Sequence, residues 1–151
     1  MPPTRAGRTV KAKGDAMSTD NTAVKAYTLR HGTLWRTDDD TPVTAVSVPT
    51  RRGHGYMVNV KAIAFSMSGN ATAFFERIAT FHNVNSGALV QTGATVNVLT
   101  TGTGYTLTLD TSGTDIRVRI TGALGSTVAW QIAVDVLEGG PNAANAGFIN
   151  G

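Results

Sequence analysis

The 151 residues are enough for one domain, and they include no cysteine, which excludes disulfides and thiolate metal sites. Only 15% of the side chains are charged, and an abundance of Gly, Thr, Val, Ala and Ser favours strands over helices. The net charge of +3 arises at the N-terminus, since residues 1–13 hold four basic side chains and no acid, while the rest of the chain holds nine basic and ten acidic side chains. The folded part is therefore nearly neutral, which argues against a nucleic-acid partner.

Residues 1–22 are predicted to form an extended basic arm, because they contain prolines and glycines and almost nothing to bury. Its four basic residues are expected to bind a partner: Arg5, Arg8, Lys11 and Lys13. The basic start is not followed by an apolar segment, so no secretory signal is predicted. No apolar run reaches membrane-spanning length, and no membrane partner is expected.

Residues 23–138 are predicted to form an antiparallel, jelly-roll-like β-sandwich of about eight to ten strands separated by turns. Residues 24–37 indicate a short extended piece, a turn at His31 and Gly32, and a second short strand. The aspartates and Thr-Pro of residues 37–42 favour a turn. Residues 50–55 are predicted to be an exposed loop. Further strands are expected at residues 43–49, 56–68, 72–84, 88–92, 95–100 and 105–110.

The segment "TAFFERIATFHNV" (residues 72–84) could form a helix or a strand. Its β-branched and aromatic residues, and the hairpin-like Gly69 before it, favour a strand. One face of the preceding strand is apolar, and its other face is partly apolar too.

The segment "TDIRVRITGALGSTVAWQIAVDVLE" (residues 114–138) is typical of two alternating strands joined by a Gly-Ser turn. In the first, the aliphatic residues 116, 118 and 120 share one face, while Arg117 and Arg119 share the other. In the second, five residues make an inward row: Val128, Trp130, Ile132, Val134 and Val136. Burying this row contributes on the order of 10 kcal/mol before entropy is counted.

No catalytic or metal-binding constellation emerges from the sequence. His31, His54 and His82 have no metal-ligand spacing and are expected at the surface or in loops. The three aspartates 38–40 could bind calcium, but the loop lacks the Gly and the distant Glu of a calcium loop, so a solvated turn is favoured. The other acids are scattered, and a cross-strand ion pair is the simplest role for Glu76. The sequence therefore predicts no enzyme, no cofactor and no metal.

Residues 139–151 are predicted to be an extended C-terminal tail. Phe148 and Ile149 are its only apolar anchor, and they are expected to dock on this domain or on a neighbour.

Residues 36–138 resemble a β-sandwich module found in virion proteins of tailed bacteriophages, in tail fibres, tail tips and capsid accessory proteins alike. The resemblance lies in Ser112-Gly113-Thr114-Asp115, Arg117-Val118-Arg119, Thr121-Gly122, Gly125 and Trp130. It implies a structural protein that assembles symmetrically and has no catalytic residues.

A single domain with two extended ends fits a capsid decoration (cement) protein. The resemblance then implies a homotrimer at the capsid surface of the virion, made in the bacterial host cytoplasm. The basic arm would meet an acidic surface of the major capsid protein, and multivalent binding would stabilise the shell. One alternative is a tail fibre, tail-adaptor or host-receptor-binding domain, with residues 50–55 and 69–71 facing the receptor. Another is a carbohydrate-binding sandwich that uses Trp35 and Tyr56 as platforms.

Overall fold

The computed structural model describes residues 25–30, 35–84 and 87–141, which form two antiparallel sheets packed face to face. The antiparallel β-sandwich predicted from the sequence is confirmed. Within these ranges, no helix has the length and apolar character needed to cross a membrane. The strands are β1 (Lys25–Arg30), β2 (Trp35–Thr37), β3 (Val43–Pro49), β4 (Gly55–Ser66), β5 (Thr72–Asn83), β6 (Leu89–Gln91), β7 (Val96–Thr101), β8 (Thr106–Ser112), β9 (Asp115–Thr121) and β10 (Val128–Gly139).

The two sheets are unequal in size. The larger has the order β1-β10-β4-β5-β6, with β2 also paired to β10 and β7 also paired to β5. The smaller contains β3, β9 and β8 in that order. The core lies between them, and the predicted inward row of β10 is buried in it from Val128 to Val136. Trp130 stacks on Phe75 of β5 with ring centroids 5.9 Å apart.

The strand predicted for residues 72–84 is confirmed by β5, which pairs with β4 along almost its whole length. Its inward positions include the buried Phe75 and Phe81. Gly69, with a φ of 80°, lies in the turn that joins the two strands. The hairpin explains why a helix does not form here, because β4 offers a complete ladder of hydrogen-bonding partners.

β1 and β2 lie end to end along the same edge of β10. Lys25 is opposite Glu138 and Arg30 is opposite Ala133, whereas Trp35 is opposite Trp130. Both strands run antiparallel to β10 and therefore in the same direction, so they do not form a hairpin with each other. The predicted turn at His31 and Gly32 falls outside the described residues and stays a prediction.

β9 and β10 belong to different sheets. The connection between them, residues 122–127, contains the predicted turn at Gly125, whose φ is 74°. An isolated bridge joins Ala123 to Ser126. The two strands are adjacent in sequence, but the connection carries the chain across the core instead of making a hairpin.

Candidate functional site

The outer surface of the larger sheet carries apolar side chains that the core does not use. We call this surface the outer apolar face; it comprises Ile63, Phe65, Phe74, Ile78, Val96 and Leu99, from β4, β5 and β7. Ile63 is directly opposite Phe74, and Ile78 is directly opposite Val96. Phe74 is 42% exposed. Large apolar side chains exposed together on one face are a candidate interaction surface.

A polar pair interrupts the outer apolar face. The Nδ2 of Asn59 donates a hydrogen bond of 3.0 Å to the Oε2 of Glu76. Lys61 is opposite Glu76 in the register, yet among the described residues no ion pair involves Glu76. The expected cross-strand ion pair is therefore wrong, because an amide on the same face already binds this carboxylate.

Arg77 faces the core side of β5 and fastens β7 to it. Its Nη1 donates a hydrogen bond of 2.6 Å to the backbone oxygen of Leu99, and its guanidinium lies 5.2 Å from the ring centroid of Phe75. Burial lowers the pKa of Arg77. The register of β7 shifts between Glu76 and Arg77, which leaves Val98 without a direct partner on β5. The buried guanidinium therefore binds the backbone where the ladder is irregular.

A buried polar cluster lies where β10 ends, centred on Glu138, whose side chain is 3% exposed. The Tyr56 hydroxyl donates to the Oε2 of Glu138 at 2.9 Å, and the Nε of Arg51 donates to the same oxygen at 3.0 Å. The Nδ1 of His54 lies 2.9 Å from this oxygen. The backbone N–H of Arg51 in turn donates to the Tyr56 hydroxyl at 2.7 Å. The cluster ties the loop before β4 to the end of β10.

Burial raises the pKa of Tyr56 to about 12, and the hydrogen bond to Glu138 acts in the same direction. Burial also raises the pKa of Tyr27, with the negative charge of Glu138 as the second cause. Both phenols are therefore neutral at ordinary pH.

The cluster corrects two expectations from the sequence. His54 lies in a loop, as one of the two expected locations, but it is buried rather than at the surface, because its ring packs against Gly140, where any Cβ would collide with it. Glu138 is the hub of a network rather than a scattered acid. A signal was available, since Glu138 continues the every-second-residue row that starts at Val128 and must therefore point inward.

A shallow groove of about 480 Å³ adjoins this cluster on the outer surface of the larger sheet. Gly55 of β4 and Gly139 of β10 are opposite each other at this end of the sheet, and the exposed Met57 and Leu137 form the next outward pair. Because the two glycines have no side chains, the surface beyond Met57 and Leu137 is left open as a groove. Tyr56 is buried beneath the groove, so its predicted role as an exposed carbohydrate platform is wrong. Trp35, the other expected platform, is partly buried against the core.

The aspartates after β2 are engaged within a turn. The Nε of Arg36 donates to Asp38 Oδ1 at 2.8 Å, and the Thr127 hydroxyl donates to it at 3.0 Å. The hydrogen bond from Arg36 lowers the pKa of Asp38. Asp39 accepts a hydrogen bond from the backbone N–H of Thr41. In the described part of the chain, no three His, Asp or Glu residues are arranged to hold a metal ion.

The residues predicted to bind partners lie outside the described ranges, as does His31. They stay predictions: Arg5, Arg8, Lys11 and Lys13 in the arm, and Phe148 and Ile149 in the tail.

Comparisons with known proteins identify no matching family model and no matching curated protein. Solved structures do match. The tailspike protein of Acinetobacter baumannii phage AM24 is 11% identical, with a TM-score of 0.42 over 75% of this chain and 26% of the tailspike. The tailspike protein gp49 of A. baumannii bacteriophage Fri1, described as a capsular polysaccharide depolymerase, is 14% identical, with a TM-score of 0.41 over 84% of this chain and 22% of that protein. The tailspike of another Acinetobacter phage is 14% identical, with a TM-score of 0.30.

This chain thus spans about a quarter of the length of the tailspikes it matches. The comparisons also correct the expectation that the protein is not an enzyme. The finding against it is that one of the matched structures, the tailspike gp49 of phage Fri1, is described as a capsular polysaccharide depolymerase, which is an enzyme.

Proposed function

We propose that this chain is a β-sandwich binding module of a bacteriophage tail protein, and that it attaches to another virion component through the outer apolar face. The proposal is supported by one observation above all: the outward positions of β4, β5 and β7 carry a row of exposed apolar side chains. In an antiparallel sheet with one solvated face, these positions are normally polar.

Burial of this face on a partner would be favourable. Four of its members, Ile63, Phe74, Val96 and Leu99, are each more than a third exposed. Covering the exposed part of such a side chain contributes roughly 1 kcal/mol. Four of them supply several kilocalories per mole before the entropic cost of association is met, so the face is suited to attachment within an assembly that holds both partners together.

Of the virion locations that the sequence leaves open, we propose the tail, where the three tailspikes named above belong. Capsid decoration, the main expectation from the sequence, stays a prediction, as do the homotrimer and the partnership with the major capsid protein. A decoration protein covers the symmetry positions of the whole shell and is present in many copies, whereas a tail component is present in few.

The test is to purify particles of the phage that encodes the chain, count copies by quantitative mass spectrometry and locate them with gold-labelled antibody. We expect few copies, all at the tail. A second arm compares Phe74→Lys with Leu124→Lys, which alters a loop residue that is 80% exposed and outside the outer apolar face. Phe74→Lys should lower the copy number and Leu124→Lys should not. Labelling over the capsid would overturn the tail location, and full incorporation of Phe74→Lys would overturn the role of the outer apolar face.

A further inference from the structure

β7 is an edge strand with one free side. It bonds to β5, and among the described residues no strand lies beside it on the other side. All six of its residues are exposed, including Val96, Val98 and Leu99, so the smaller sheet does not cover it. The backbone N–H and C=O groups on the free side of such a strand are a template for another strand.

This edge lacks the usual protection by charge. The sequence contains no Asp, Glu, Lys or Arg between Arg77 and Asp110, so β7 and its flanks are uncharged. At the opposite end of the same sheet, β1 and β2 contain Lys25, Arg30 and Arg36. Soluble proteins commonly use charged side chains, lysine above all, to keep exposed edges from pairing. The two ends of the sheet therefore differ in the feature that controls edge pairing.

β7 is also held firmly in place for pairing. The buried guanidinium of Arg77 grips the backbone oxygen of Leu99 from within the core. Gly102 ends the strand with a φ of 84°, and a Cβ there would collide with the backbone of Thr72 and Ala73. The C-terminal half of β7 is thus fixed against β5, and the free side of the strand is presented with a defined direction.

We propose that β7 pairs with β7 of a second copy of this chain, antiparallel about a two-fold axis. In an isologous contact the same surface of each copy faces its counterpart, so the groups on that surface must not repel one another. An uncharged strand satisfies this condition. A charged partner would find no opposite charge on β7. The pairing makes the two larger sheets continuous and brings the two outer apolar faces side by side, through Val96 and Leu99.

The contact is small. Pairing of six residues buries less than the roughly 1,600 Å² of a standard interface, so dimers should form reversibly and only at high protein concentration. Within an assembly that holds copies close together, the same contact is strengthened by the raised effective concentration. The inference concerns the chain alone and does not depend on where in a virion the chain resides.

The test is sedimentation equilibrium of the 151-residue chain over a wide concentration range. We expect a monomer–dimer equilibrium. Val98→Lys and Val98→Glu should each raise the dimer dissociation constant about tenfold or more at low salt, because like charges then meet across the axis. Mixing the two variants in equal amounts should restore association as a heterodimer. Leu124→Lys, an exposed apolar-to-lysine change in a loop, is the matched control and should leave the constant unchanged.

Hydrogen exchange identifies the surface used. The amides of residues 96–101 should gain protection as concentration rises, while those of β1 should not. Asn97→Asp serves as a second variant in case Val98→Lys disturbs the bulge. A native chain that stays monomeric at every concentration would overturn the proposal. So would dimers whose dissociation constant in both the Val98→Lys and the Asn97→Asp variant equals that of the native chain, or protection that appears outside residues 96–101. Because these readouts need no virion, their failure leaves the proposed function standing, and the reverse also holds.

Discussion

The Nδ1 of His54 lies 2.9 Å from the Oε2 of Glu138, although one residue is in the loop before β4 and the other is at the end of the last strand. Both side chains are almost completely buried, and the same carboxylate oxygen accepts hydrogen bonds from Arg51 and Tyr56. Three groups from residues 51–56 therefore converge on one oxygen of Glu138, a distant residue in the chain.

Glu138→Gln should lower the free energy of unfolding by about 2–3 kcal/mol. Glutamine keeps the size of the side chain but removes the negative charge that balances the Arg51 guanidinium. Removing one partner of a buried charge pair is destabilising because the other charge is left without compensation. Arg51 is partly exposed, which places the value at the lower end of the range for buried pairs. Urea denaturation measures the change. Asp135→Asn, at an exposed position of the same strand, should cost clearly less; equal losses would contradict a special role for Glu138.

Stability should fall as the pH rises above about 10, and Tyr56 should account for part of the loss. Its pKa is near 12 in the folded protein and near 10 in the unfolded chain, so the unfolded state releases its proton first. The stabilisation is therefore complete below pH 10 and is lost toward pH 12, with a size on the order of 2 kcal/mol.

Unfolding of the native chain and of Tyr56→Phe between pH 8 and 12 provides the measurement. The variant should be less stable at neutral pH but show a shallower decline in alkali; the remaining slope reports other groups, including Tyr27, whose pKa is also raised. Parallel curves for the two proteins would rule out Tyr56 as the titrating group.

Gly122→Ala should destabilise the sandwich by about 2 kcal/mol or more. A Cβ at this position collides with the side chain of Thr37 and with the backbone oxygen of Asp39. The Thr37 hydroxyl accepts the hydrogen bond of 3.1 Å from the Nε1 of buried Trp130, so moving it leaves an unpaired donor in the core. Thermal and urea unfolding test this. Gly139→Ala is the control, since nothing lies within 4 Å of a Cβ there, and its effect should stay within about 0.5 kcal/mol.

Arg77→Met should loosen β7 without unfolding the sandwich. The variant removes the charged donor that holds the Leu99 carbonyl, and methionine keeps much of the packing beside Phe75. A charge-assisted hydrogen bond is worth about 1.5 kcal/mol or more, which corresponds to roughly tenfold faster amide exchange in residues 96–101. Lys61→Met, at an exposed position of β4, should leave the exchange of β7 unchanged. Equal exchange of β7 in the two variants would show that Arg77 does not hold this strand.

Much of the fold could be predicted because alternation is a local property. The inward row of β10 and the strand assignment of residues 72–84 both follow from the side-chain period of two, which holds whichever strand lies alongside. The same period also indicates that Glu138 is buried. Glu138 was expected to be one of several scattered acids, but it lies an even number of residues after Val128 and therefore belongs to the inward row of β10. The alternation of the strand was the better guide to its burial.

The candidate site was less accessible to prediction. The partly apolar second face of β4 was visible in the sequence, but the outer apolar face forms only because β5 places Phe74 opposite Ile63 and β7 places Val96 opposite Ile78. Likewise, nothing near His54 in the sequence shows that the end of β10 will cover it.

By itself, then, the sequence determined that this protein is a strand sandwich without cysteine, and which side chains of β10 face inward. Only the tertiary structure decided which strands became neighbours: that β9 and β10, joined by a short turn, belong to opposite sheets, and that β1 and β2 share one edge of β10. The physical reason is that alternation acts within a strand, whereas pairing depends on which arrangement lets two whole sheets bury their apolar faces against each other.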